Sequence, residues 1–242
     1  MTVENNKSSQ PTNVLFYGRT LKEYVSMFDI ELSAWQGCKI LDCPAGPASF
    51  VEEARQQGLD VIGCDPSYTD ELLVMVDNGN NDIDKTIEVS SQYSQYLSQQ
   101  FYSSLEQMKE YATKALKIFA ESYSLGRKEN VYIQAALPNL PFCDRSFDLV
   151  LSGNFLFIYS KLINPNLEKF DYEFHRQAII ELLRVSKKEV RIFPVGNLTG
   201  QPHEYVSQLL TELKTQRIVA EIVPVQYQIF QTGNLMLRLT RL

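Results

Sequence analysis

Lys39-Ile40-Leu41-Asp42-Cys43-Pro44-Ala45-Gly46-Pro47-Ala48-Ser49-Phe50, continued through Gly58 to Val61-Ile62-Gly63-Cys64-Asp65, is the stretch that decides the fold. Lys39 to Cys43 is a short apolar run, and it stops at a turn containing Pro44, Gly46 and Pro47. Ser49 to Gln57 follows with helical character, Gly58 supplies a helix stop, and Leu59 to Cys64 resumes as an apolar run ending at Asp65-Pro66. The sequence therefore reads strand, turn, helix, strand, at the length of about thirty residues expected of one βαβ unit.

Downstream, strands are expected at Val131 to Gln134, Phe147 to Ser152 and Glu189 to Val195, with helices at Phe170 to Val185 and His203 to Gln216. Strands alternating with helices imply a mostly parallel sheet covered on both faces. The pattern then changes. Ala220 to Tyr227 and Leu235 to Leu242 are strand-like runs joined across Gly233-Asn234, which reads as an antiparallel hairpin closing one edge. The expected fold class is α/β, a doubly wound seven-stranded sheet with an antiparallel C-terminal hairpin and a helical insertion. One domain accounts for 1–242, with a disordered polar tail over 1–12.

The insertion spans 67–130, far too long for a plain connection, and from Ile83 to Ser124 it is rich in helix formers. Tyr93, Tyr96, Phe101, Tyr102, Tyr111, Phe119 and Tyr123 recur through it. Two readings are open: the rings seal the insertion onto the domain, or some line a substrate pocket beneath a lid.

In an open α/β sheet, ligands gather at the carboxyl ends of the strands. That location falls on Asp42 to Phe50, Asp65 to Tyr68 and Ala135 to Leu137. Gly46 lets a ligand approach the backbone, Pro44 and Pro47 stiffen the bend, and Ser49 is a candidate helix cap. The carboxylate of Asp65, at a strand end, suits a ribose diol.

These residues resemble the class I S-adenosylmethionine-dependent methyltransferases. Asp42 to Phe50 is similar to the family's first motif, an acid followed by a glycine-containing loop, and Val61 to Asp65 to its second strand. Leu140-Pro141-Phe142 before Arg145 to Val150 resembles the approach to the fourth strand, and Glu181 to Val185 the helix before the fifth. The resemblance implies S-adenosylmethionine as cofactor and S-adenosylhomocysteine as product. It places Asp42 near the cofactor's amino group, Pro44, Ala45 and Gly46 along it, Asp65 on the ribose, and Pro66 to Tyr68 with Ala136 and Leu137 around the adenine. Three positions depart from the pattern. The first loop has one glycine, Ala135 to Asn139 lacks the usual adenine-binding acid, and Ser186-Lys187-Lys188 replaces a Pro-Gly-Gly turn.

Methyl transfer from a sulfonium needs alignment and exclusion of water, and a base only for some acceptors. Candidate catalytic residues are His175 and His203, as the side chains best suited to accept a proton near neutrality, with Asn154 and Tyr159 where relatives orient the acceptor. Asn154-Phe155 does not match the Asn-Pro-Pro-aromatic pattern used on the amines of nucleic-acid bases.

The remaining composition narrows the function classes. A net charge of −6 disfavours a broad grip on nucleic acid. Cys38, Cys43, Cys64 and Cys143 have no metal-ligand spacing, so no metal site is expected. No run reaches the roughly 20 apolar residues of a membrane helix, and no signal peptide is read, so the expected location is the cytoplasm. The leading expectation is methylation of an O or N atom of a small metabolite. Alternatives are a protein or peptide acceptor, and a binding protein on the same fold without catalysis. A nicotinamide-dependent oxidoreductase would carry GxGxxG after its first strand, where this chain has Cys43-Pro44-Ala45-Gly46-Pro47-Ala48.

Overall fold

A computed structural model describes residues 13–196, 201–213, 218–231 and 233–241; the tail expected over 1–12 lies outside these. Helix α1 (Leu21–Phe28) opens with a capping box, in which the Thr20 hydroxyl accepts from the Glu23 N–H while the Glu23 carboxylate accepts from the Thr20 N–H at 2.7 Å. Then come β1 (Lys39–Asp42), α2 (Phe50–Gln56) and β2 (Asp60–Asp65), the unit read from the sequence. The interval after β2 holds α3 (Leu72–Gln92) and α4 (Leu105–Lys128), ahead of β3 (Tyr132–Gln134) and β4 (Phe147–Gly153). The chain continues with α5 (Tyr172–Val185), β5 (Ser186–Phe193), α6 (Glu204–Leu213), β6 (Ile218–Pro224) and β7 (Leu235–Arg241).

The seven strands form one sheet in the order β3-β2-β1-β4-β5-β7-β6. The first five are parallel; β7 lies antiparallel between β5 and β6, pairing Val190 with Leu239 and Ala220 with Leu239. Order reverses between β1 and β4, so the β1–α2 loop opens at the switch point. Alternate residues along each strand feed two cores. Ile40, Val61, Leu149 and Phe193 pack against α1, α2 and α4, whereas Leu41, Cys64, Val150 and Ile192 pack against α5 and α6.

Two details differ from the sequence reading. Ser186-Lys187-Lys188 is no turn: α5 ends at Val185 and β5 begins at the next residue. Lys187 and Lys188 are exposed there and pair with Asp148 at 3.8 and 3.2 Å. Ser49 occupies the cap position of α2 without a side-chain cap, since its hydroxyl donates instead to Glu53 at 2.5 Å.

Residues 13–20 strap the loops that follow β1 and β4. The Leu15 N–H donates to the Tyr159 hydroxyl at 3.0 Å, the Phe16 N–H to Asp82 of α3 at 2.9 Å, and the Ser49 N–H to the Arg19 carbonyl at 3.0 Å. Gly18 lies so close to the Pro47 carbonyl that a β-carbon would collide with it. Gly18→Ala is therefore expected to lower stability by ~1–3 kcal/mol, the scale of overpacking, in chemical denaturation. A change under a few tenths of a kcal/mol would show that the strap yields freely.

Candidate active site at the carboxyl ends of the strands

Asp65, the last residue of β2, fixes the geometry of the site. One carboxylate oxygen accepts from the Gly46 N–H at 2.9 Å, the other from the Ser67 N–H at 2.8 Å. Gly46 has φ 54°, a left-handed conformation that favours glycine, and its carbonyl accepts from the Tyr68 hydroxyl at 2.7 Å. The β1–α2 loop is thus held from both sides of one residue. Burial raises the pKa of Asp65, while the two N–H donors oppose that shift. A carboxylate offers about four acceptor positions, so two lone pairs are left for further donors.

Asp42, at the end of β1, is fully buried. Its Oδ2 accepts from the Tyr24 hydroxyl at 2.8 Å, and Tyr24 stacks flat on Phe50 with ring centres 4.2 Å apart. Its Oδ1 is buried with no protein partner, and desolvation drives its pKa well above the usual carboxylate range. Such an orphaned acceptor suits a cationic donor brought by a ligand, since an adjacent positive charge would restore the ionised form.

The loop after β3 leans on the same centre. The Ala135 N–H donates to the Asp65 carbonyl at 3.3 Å, Gln134 donates to the Pro66 carbonyl at 3.2 Å, and Ala136 turns back on Asn139 at 3.1 Å. Pro66 and Ala136 are exposed. Tyr68, expected beside an adenine, points inward instead. It is fully buried, stacked on Phe119 and edge-on to Tyr123 and Tyr132, because its ring fills the gap between the sheet and α4.

The candidate catalytic residues separate sharply. His175 is fully buried; its Nδ1 donates to the Asp171 carbonyl at 2.7 Å and its Nε2 accepts from the Phe157 N–H at 3.1 Å. Phe157 has φ 70°, a conformation that costs a bulky residue energy, and His175 braces it. His203 accepts from the Tyr205 N–H at 3.2 Å through Nδ1 and meets the Ser160 hydroxyl at 3.1 Å through Nε2. The two rings lie nearly parallel, 6.3 Å apart. Desolvation holds His175 down to about 4 and lowers His203 as well. Both nitrogens of each ring are committed to hydrogen bonds that tie α5 and the β5–α6 loop to the β4–α5 loop. Tyr159 is likewise a brace, its hydroxyl accepting from Leu15 while burial pushes it up to about 12. Asn154, just past β4 with φ 53°, donates its backbone N–H to the Phe193 carbonyl at 2.7 Å and its side-chain amide to the Met27 sulfur at 3.3 Å.

The sequence reading missed the strap and α1, whose Tyr17, Arg19, Glu23 and Tyr24 meet Tyr102 of the insertion and Tyr227 after β6. Thr20-x-x-Glu23 was the available signal, as a capping-box pattern announcing a helix before the first strand. Among the described residues no group of His, Cys, Asp or Glu could hold a metal ion, and no helix is long and apolar enough to cross a membrane.

This sheet order, with an antiparallel strand inserted beside the fifth, is the arrangement that the resemblance to the class I methyltransferases implies. No protein-family model matches the chain. An uncharacterized protein of Methanocaldococcus jannaschii is 29% identical over 230 residues, covering 95% of this chain and 97% of that protein. Among solved structures, magnesium protoporphyrin IX methyltransferase from Synechocystis with bound SAM is 13% identical, with a TM-score of 0.48, over 92% of this chain and 78% of that one. A SAM-dependent methyltransferase from Aquifex aeolicus is 16% identical, with a TM-score of 0.42, over 91% and 95%. The fold assignment rests on the strand order itself.

The buried histidine makes stability fall on the acid side. Its folded pKa is depressed from 6.5 to about 4, so the unfolded chain binds the extra proton in that window. The contribution is complete above pH ~6.5 and lost on descent toward pH ~4, by up to roughly 3 kcal/mol at 1.36 kcal/mol per unit. Denaturation of wild type and His175→Gln across this range should reveal a shallower loss in the variant; identical slopes would deny His175 its bracing role.

Proposed function

We propose that the chain is an S-adenosylmethionine-dependent methyltransferase acting on an O or N atom of a small-molecule metabolite. The observation that carries the reading is the Gly46 loop, pinned in left-handed conformation by Asp65 and placed beside the orphaned Asp42 oxygen at the switch point of a class I sheet. S-adenosylmethionine supplies, when bound, a methyl group already attached to a good leaving group. What the protein adds is placement and exclusion of water.

The roles follow from the groups. Gly46, with Pro44 and Ala45, gives the close backbone approach, and Asp65 accepts from the ribose hydroxyls with its remaining lone pairs. The unpartnered Oδ1 of Asp42 accepts from the amino group. Pro66 and the backbone of Ala136 and Leu137 line the adenine side. Asn154 stands on the acceptor side, at the ends of β4 and β5. The strap 13–20 ties the donor loop to the insertion, through the Ser49 N–H and through Asp82 of α3. Both histidines are engaged in loop contacts, so a favoured acceptor is one that is nucleophilic without an imidazole to deprotonate it.

Isothermal calorimetry with S-adenosylmethionine, S-adenosylhomocysteine and NAD tests this directly. The two sulfur compounds should bind and NAD should not. Asp65→Ala should weaken S-adenosylhomocysteine by at least ~1 kcal/mol, given about 1.5–3 kcal/mol for hydrogen bonds to a charged group. Binding of neither sulfur compound would overturn the reading, and unchanged affinity in the variant would remove Asp65 from the site.

A further inference from the structure

Resting on that reading, we propose that Arg19, framed by Tyr17, Tyr102 and Tyr227, is a receptor for a carboxylate on the methyl acceptor. Arg19 is buried, yet its guanidinium makes one long hydrogen bond, Nη1 to the Glu23 Oε1 at 3.4 Å. Its Nε is buried without a well-formed hydrogen bond, and so is the Tyr17 hydroxyl two residues earlier, which interacts with Arg19 itself. Buried donors bonded this poorly cost folding energy, which a ligand oxygen would return.

Glu23 does not require Arg19 for its own satisfaction. Its Oε2 accepts from the Thr20 N–H and hydroxyl at 2.7 and 2.9 Å, and its Oε1 from the hydroxyls of Tyr102 and, at 3.4 Å, Tyr227. The cation is held instead by flat faces: its central carbon lies 4.6 Å from the Tyr17 ring centre and 5.7 Å from that of Tyr227. Held in this way, the Nε side of the guanidinium fork presents the geometry that grips a carboxylate through two parallel hydrogen bonds. The neighbouring Glu23 limits the site to a single negative charge, since a dianion would meet like charge in a poorly screened interior.

The position favours the acceptor over the donor. The Arg19 backbone is fastened to the donor loop through Ser49, and its guanidinium lies over the rings of Tyr17 and Tyr227. Tyr227 in turn packs on Phe193, 5.7 Å between ring centres, and the Phe193 carbonyl holds Asn154. Phe101 lies 4.8 Å from Tyr227, so the walls around the cation are aromatic and suit a planar acid. Under this proposal Phe101 and Tyr102 are lining rings, whereas Phe119 and Tyr123 pack against Tyr68.

The test uses the full-length protein saturated with S-adenosylhomocysteine, titrated with benzoate and with its neutral analogue benzamide. Benzoate should bind at least about tenfold more tightly, the scale of a charge-assisted pair. Arg19→Lys keeps the ion pair with Glu23 but loses the fork, so it should erase most of that preference while leaving S-adenosylhomocysteine affinity within about twofold. Arg19→Met should erase it entirely. Equal or absent binding of the two probes overturns the proposal, as does a tenfold loss of S-adenosylhomocysteine affinity in Arg19→Lys, which would assign the guanidinium to the donor's own carboxylate. Failure of the wild type to bind S-adenosylhomocysteine is a separate result, and it overturns the methyltransferase reading beneath the proposal.

Discussion

A single carboxylate bridges two loops at the carboxyl edge of the sheet. Asp65 leaves β2 with its oxygens aimed at the N–H groups of Gly46 and Ser67, and these two bonds place the β1–α2 loop against the β2–α3 loop. Hydrogen bonds from backbone N–H groups to an ionised acceptor are among the stronger ones available, and this pair is shielded from water. Other contacts inherit their position from it. Tyr68 follows Ser67 and reaches back to the Gly46 carbonyl, while its ring anchors the aromatic cluster that seats α4. The loop after β3 meets the Asp65 carbonyl, which aligns Ala136 and Leu137 with the same edge. Without Asp65, the left-handed turn at Gly46 would lose one of its two ties.

The second half of the site is built by chain far from that unit. The strap and α1 deliver Arg19, Glu23 and Tyr24 beneath the insertion and the segment after β6, and the fit requires Gly18. Polar groups concentrate where the layers meet: Asp42, Tyr17 and Arg19 each carry a buried atom without a protein partner. Orphaned atoms of this kind are uncommon in native interiors, and Ser152 Oγ on β4 is a fourth among the described residues. His175 of α5 and His203 of the β5–α6 loop both pack against Phe157 on the opposite face of the sheet.

The β1 to β2 unit was legible in the sequence because its signals are local. An apolar run, a proline and glycine turn and an acid at a strand end each report on their own neighbourhood. The terminal hairpin was legible for the same reason, through the change of periodicity around Gly233-Asn234. The surroundings of the histidines were not legible because a position near the ligand edge says nothing about which way a ring points, and both rings turn inward to bond backbone N–H groups. Lys187 and Lys188 suggested a turn by their polarity, whereas they form the solvent-exposed start of a central strand opposite Asp148. The Arg19 cluster was invisible for a different reason. Tyr102 and Tyr227 stand 79 and 204 residues from Glu23, and only the completed fold brings their hydroxyls to one carboxylate.

A crystal structure of the protein with S-adenosylhomocysteine measures the central claim most directly. The ribose hydroxyls should lie within hydrogen-bonding distance of the free lone pairs of Asp65, with the amino group near Asp42 Oδ1 and the thioether sulfur facing the Asn154 side of the edge. A ligand bound elsewhere, or one whose ribose makes no contact with Asp65, would contradict it.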